Sequence, residues 1–152
     1  MQQYLRPTFF LDYLSENVTD FAADTCVLSR TPVEKAVALY YAVRDLIKYD
    51  PYDLQYSRTA MKASTILSKG SGYCVAKAVL LAAAGRAQGI PCRLGFADVV
   101  NHLSSTKLRA KMRTDLFTYH GYTELFLNGK WIKATPAFNL SLCTKFCVKP
   151  LE

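Results

Sequence analysis

"GSGYCVAKAVLLAAAGRAQGIPCR", residues 70 to 93, decides how this chain folds. It opens on a glycine turn, runs through small apolar residues and closes on Gly89 and Pro91. Ser71 or Gly72 can cap a helix start, and glycine followed by proline marks a helix end. The spacing therefore predicts a helix from near Cys74 to about Gln88. Its only charges are Lys77 and Arg86, and a helix apolar all round belongs in the middle of a domain. Cys74 thus begins a central helix, where aligned peptide dipoles and free N–H groups favour a thiolate. That position predicts a pKa below the free-thiol value of about 8.5 and makes Cys74 a candidate nucleophile.

Upstream, "TPVEKAVALYYAVRDLIKYDP" is a second clear helix. Thr31 suits the N-cap, Pro32 the first helical position, and Glu34 completes a capping box. Residues 60 to 68 read as a further short helix, and "FFLDYL" as a strand followed by a helix through "VTDFAADT". Downstream, "CRLGFADVV" reads as a strand and residues 101 to 115 as a basic, polar connection. "YHGYTELFLNGKWIKATPAF" carries the strongest β signal, with Asn128-Gly129 as a type I′ hairpin turn between alternating apolar residues. A two-residue loop there sets Leu127 opposite Lys130, Glu124 opposite Lys133 and Tyr122 opposite Thr135. By alternation His120, Tyr122, Thr135 and Ala137 share one face, and His120 and Thr135 are diagonal neighbours within reach of each other.

A nucleophilic cysteine needs a base, and the base needs a group to orient its ring. His102 lies in the polar connection, which leaves His120 as the candidate base and Thr135 as its partner. On these residues the sequence resembles the transglutaminase-like superfamily, whose core joins a G-x-C helix to an H-x-x-x-E strand and a W-x-x-x-D-P strand. The matching residues are Gly72 and Cys74, the stretch Arg86 to Arg93, His120 and Glu124, and Trp131 with Pro136. The similarity covers residues 34 to 139. It implies an α+β, papain-like core in which the Cys-bearing helix packs on an antiparallel sheet, within one domain spanning residues 1 to 152. It also implies cysteine-dependent acyl transfer or hydrolysis at an amide bond through a thioester, with a peptide or protein amide as substrate and an amine as possible acceptor.

One residue departs from the pattern: Thr135 stands where the family has aspartate. A threonine hydroxyl accepts a hydrogen bond but brings no charge to steady an imidazolium, and removing the aspartate of a serine-protease triad lowers turnover by about 10⁴. Cysteine is the more forgiving nucleophile. Asn139, on the same face by parity, is an alternative orienting residue, as asparagine is in papain-like enzymes. The competing reading is a binding module for a protein or peptide partner that retains the cleft without turnover. Arylamine N-acetyltransferases use a related triad, but their R-G-G-x-C approach to the cysteine is absent.

Composition excludes other classes. An apolar fraction of 51% with 20% charged residues is that of a folded globular chain. No uncharged run is long enough for a membrane span, Met1 to Asp12 do not resemble a signal peptide, so no secretory leader is expected, and the five cysteines are expected to be reduced in a cytoplasmic setting. The net charge of +7 is lopsided: residues 1 to 56 carry five Lys/Arg and eight Asp/Glu, residues 57 to 152 fourteen and four. The alternating Lys107, Arg109, Lys111 and Arg113 suit an acidic partner, while no nucleic-acid motif accompanies them. Cys143 and Cys147 lack a second ligand pair for zinc, and neither a dinucleotide fingerprint nor a Walker A loop is present, so no metal or organic cofactor is expected. Tyr49, Tyr52 and Tyr56 form a cluster suited to lining a cleft.

Overall fold

Capping chemistry and apolar patterning place the elements. The structure is a computed structural model that describes residues 1–52, 57–100, 113 and 116–150. After a short 3₁₀ turn at Gln2–Tyr4, helices α1 (Glu16–Thr25) and α2 (Pro32–Leu46) lead into β1 (Lys48–Tyr49). A second 3₁₀ turn at Thr59–Met61 precedes α3 (Ala63–Lys69), β2 (Ser71–Gly72) and α4 (Cys74–Ala87). Strands β3 (Cys92–Val100), β4 (Leu116–Leu127) and β5 (Lys130–Ala134) follow, then α5 (Leu140–Lys145). The capping box of α2 forms as its residues dictate: Glu34 N–H donates to the Thr31 hydroxyl at 3.2 Å and Thr31 N–H to the Glu34 carboxylate at 3.2 Å.

Helix α4 is the centre of the molecule. Every residue from Ala76 to Arg86 is buried, and α1, α2, α3 and the sheet all pack on it. Strands β3, β4 and β5 form an antiparallel sheet in that order. The hairpin register is the expected one, with Leu127 opposite Lys130 and Glu124 opposite Lys133. Asn128 and Gly129 take the positive φ values (49 and 79) that a type I′ turn needs. Gly121, Thr123 and Leu125 are buried on one parity of β4. Thr123 pins the strand to the helix, its hydroxyl donating to Ala78 O at 2.8 Å.

The two basic side chains inside α4 hold chain segments together. Arg86 donates to Cys92 O at 2.7 Å and to Arg6 O, joining the start of β3 and the N-terminal segment to the helix end. Lys77, with none of its surface exposed, donates to Arg44 O at 2.9 Å and Ile47 O at 2.7 Å. It thereby fixes the C-terminal end of α2, from which β1 departs to pair in parallel with β2 just ahead of Cys74.

Three expectations need correction. The stretch "FFLDYL" is not a strand; residues 9–15 are bends, a turn and irregular backbone. Side chains satisfy the segment instead: Leu11 N–H donates locally to the Thr8 hydroxyl at 3.1 Å, and the Asp12 carboxylate ties the segment to the start of α3 by accepting from Ser64 N–H and hydroxyl. The N-cap of α4 is Tyr73, not Ser71 or Gly72, which pair with β1 instead. Strand β5 ends at Ala134, ahead of Pro136, so strand parity does not extend to Asn139. Residues 101–112, including His102, Lys107, Arg109 and Lys111, lie outside the described residues, as does Tyr56; Arg113 is exposed.

Candidate active site

Because Tyr73 offers no side-chain cap to α4, the first N–H groups of that helix keep their donor capacity. Cys74 is its first residue and half buried. Burial pushes the Cys74 thiol above its ordinary pKa, while the backbone N–H groups of Gly121, Val75 and Cys74 itself pull it back part of the way. The expectation of a lowered pKa is therefore overturned: desolvation outweighs the helix terminus.

Gly121 brings β4 to this position. A Cβ at Gly121 would stand 2.8 Å from the Val75 Cα and 2.9 Å from its Cγ2. Only a bare backbone lets the strand approach the first turn of α4 so closely, and its N–H then faces the Cys74 sulfur. The residue before it, His120, lies on the opposite parity of the strand. The sheet is irregular here: its register shifts between Ala97 and Val99, and Tyr119 has φ 58 with its N–H on the Asp98 carboxylate at 3.2 Å. Such a bulge bends a strand and re-aims its side chains. Here it accompanies a cleft of about 670 Å³ lined by Cys74, His120 and Thr135 together.

His120 Nε2 lies 2.8 Å from Thr135 Oγ1, the diagonal contact expected from the sequence. In the tautomer whose Nε2–H donates to that hydroxyl, Nδ1 is the nitrogen left to accept a proton. Burial holds His120 below its ordinary pKa. Among the described residues no hydrogen bond joins Cys74 to His120. The thiol is pushed up and the imidazole down, so burial favours the neutral form of each.

Asn139 is placed elsewhere. It is the N-cap residue of α5 and buried. Its Oδ1 accepts from Tyr49 N–H at 2.7 Å, and its Nδ2 donates to Ile47 O at 2.9 Å and to Arg44 O. Those are the same two carbonyls that Lys77 holds, so Asn139 secures the loop before β1, while Thr135 meets the imidazole. Of the tyrosine cluster, Tyr49 lines the cleft and Tyr52 is exposed. Burial, followed by the nearby Cys74 and Asp50, pushes the Tyr49 hydroxyl up and keeps it protonated. Cys143 is buried and Cys147 exposed, and among the described residues no group of three or more His, Cys, Asp or Glu could hold a metal. Sequence reasoning missed Gly121 and the Lys77 clamp. The glycine directly after the candidate base was the available signal for the first, and a lone lysine in an otherwise apolar helix face was the signal for the second.

The sequence and the fold each have known counterparts. The sequence matches the family model of the transglutaminase-like superfamily over residues 19–136. A crystal structure of a Cytophaga hutchinsonii protein proposed to be a cysteine protease superposes with a TM-score of 0.69 at 20% identity, over 89% of this chain. This chain spans 41% of that protein's length. No curated protein sequence matches it. Among the described residues, no helix is long and apolar enough to cross a membrane.

Proposed function

The chain belongs to the transglutaminase-like superfamily, a cysteine-based enzyme superfamily, and we propose that it performs acyl transfer at amide bonds through Cys74. One observation carries the reading. A cysteine at the N-terminus of a central helix shares a cleft with a histidine whose Nε2 is engaged by Thr135. His120 Nδ1 takes the thiol proton as Cys74 Sγ bonds to the amide carbonyl carbon. The carbonyl electron pair moves to oxygen, and the oxyanion is met by N–H groups at the helix start. His120 returns the proton to the departing amine nitrogen as the C–N bond breaks, leaving a thioester on Cys74. Water or an amine then gives its proton to His120 and bonds to the thioester carbon. The thiolate departs and recovers that proton from His120.

Thr135 sets the character of this pair. Without a carboxylate against the ring, the resting state is thiol and neutral imidazole, and proton transfer accompanies attack. That neutrality also favours a second reading, a cleft that binds its partner without turnover. The experiment that separates them incubates the protein with a tryptic peptide mixture, with and without a fluorescent primary amine. New peptide termini or incorporated amine, lost in Cys74→Ala and in His120→Ala, support acyl transfer. Peptide capture that survives Cys74→Ala with neither product supports binding alone.

A further inference from the structure

The cleft beside Cys74 is larger than the reacting groups require. At about 670 Å³ it falls among pockets that enclose a drug-sized ligand. Its walls are mostly apolar: Val75 comes from the helix, Val99 and Phe117 from the sheet, and Tyr49 and Phe138 meet edge-to-face with ring centroids 5.0 Å apart. The Tyr122 ring lies where a Gly95 side chain would be, since a Cβ there would meet it at 2.3 Å. Among the described residues the lining includes one ordinarily charged side chain, Lys133, whose Nζ already sits 5.3 Å from the Tyr122 ring centre.

We propose that this cleft binds the acyl side of the substrate as a bulky apolar group, aromatic or branched aliphatic, in preference to a glutamine or acidic side chain. The inference rests on the acyl-transfer reading and adds the substrate class to it. A carboxamide or carboxylate entering such a lining leaves water for a surface that is mostly carbon, with hydrogen-bonding atoms at scattered hydroxyls, His120 and Lys133. An apolar group gains from the same transfer, and burying a Phe- or Leu-sized side chain corresponds to roughly 10- to 100-fold in binding.

Matched chloromethyl ketones bearing Phe, Leu, Gln or Asp side chains test this at fixed pH. The readout is the rate of Cys74 modification by mass spectrometry, with iodoacetamide as a reference of minimal size. The expected result is that the Phe and Leu reagents modify Cys74 at least about tenfold faster than the Gln and Asp reagents. Val99→Asp should reduce that preference to about twofold or less. Equal rates for all four reagents at Cys74, or a lead for the Asp reagent through Lys133, would overturn the inference and leave the nucleophile standing. If no reagent, iodoacetamide included, modifies Cys74 ahead of the exposed Cys147, the acyl-transfer reading falls and takes this inference with it.

Discussion

Replacing Thr135 with aspartate puts the family's carboxylate against a histidine that now meets only a hydroxyl. The Thr135 hydroxyl lies 2.8 Å from His120 Nε2, so an aspartate carboxylate would bring its charge to about 4 Å from the ring. At an effective dielectric of about 20, that pair is worth roughly 4 kcal/mol, a ceiling of about 3 pKa units. Partial exposure of His120 and carboxylate desolvation bring the expected rise to about 1–3 units. Burial holds the wild-type imidazole below its ordinary value, so it is mostly neutral at pH 7; in the variant its protonated fraction at any given pH should be larger. Histidine NMR titration reads this directly, with the His120→Gln spectrum identifying the resonance. An imidazolium beside Cys74 also favours the thiolate, so iodoacetamide alkylation of Cys74 near pH 6.5 should rise by about tenfold, with Thr135→Ser close to wild type. An unchanged His120 midpoint would refute the Thr135 contact. A raised midpoint without faster Cys74 alkylation would refute the coupling between thiol and imidazole.

Other consequences follow from the same geometry. Gly121→Ala forces a methyl into the Val75 backbone; it should cost about 1–3 kcal/mol in urea unfolding and slow Cys74 alkylation, because His120 is the adjoining residue. Asn139→Ala removes the partner of the Tyr49 N–H and one donor to two carbonyls. It should cost about 2–4 kcal/mol while the wild-type His120 titration midpoint persists, the opposite of what an orienting residue would give. Lys77 is pushed down to about 7 by burial, so between that value and its ordinary one, about 10.4, the unfolded chain binds the extra proton. Its contribution to stability must therefore rise with pH across that window, by on the order of a few kcal/mol. Urea midpoints of wild type minus Lys77→Met, measured from pH 6 to 10, should increase with pH; a flat difference would show that the buried amine stays charged.

Much of this was legible in the sequence because the signals were local. The capping box at Thr31 and Glu34, the Gly89 and Pro91 stop, and the Asn128-Gly129 turn each fix a backbone geometry within a few residues. Hairpin register then carried the His120–Thr135 contact. Parity failed at Asn139, where the strand had ended before Pro136 and the side chain was drawn to carbonyls at the far end of α2. "FFLDYL" misled because its backbone finds partners outside any sheet: Leu11 N–H donates to the Thr8 hydroxyl, and Phe10 O accepts from Ala63 N–H. The helix-terminus argument placed Cys74 correctly but misjudged its acidity, since the depth of burial depends on how closely β4 approaches, and that depends on Gly121. None of these long-range effects has a sequence period.

The most direct test of the account is whether Cys74 carries the acyl group. Rapid acid quench of the protein with a p-nitrophenyl ester of N-acetylphenylalanine, followed by peptide mass spectrometry, reads the acyl adduct and its position. The account predicts an N-acetylphenylalanyl thioester on the peptide containing Cys74, formed at least about 10²-fold more slowly in His120→Ala, as loss of a positioned general base requires. Adducts that appear on Cys147 at the same rate as on Cys74, or a Cys74 adduct whose rate is unaffected by His120→Ala, would contradict it.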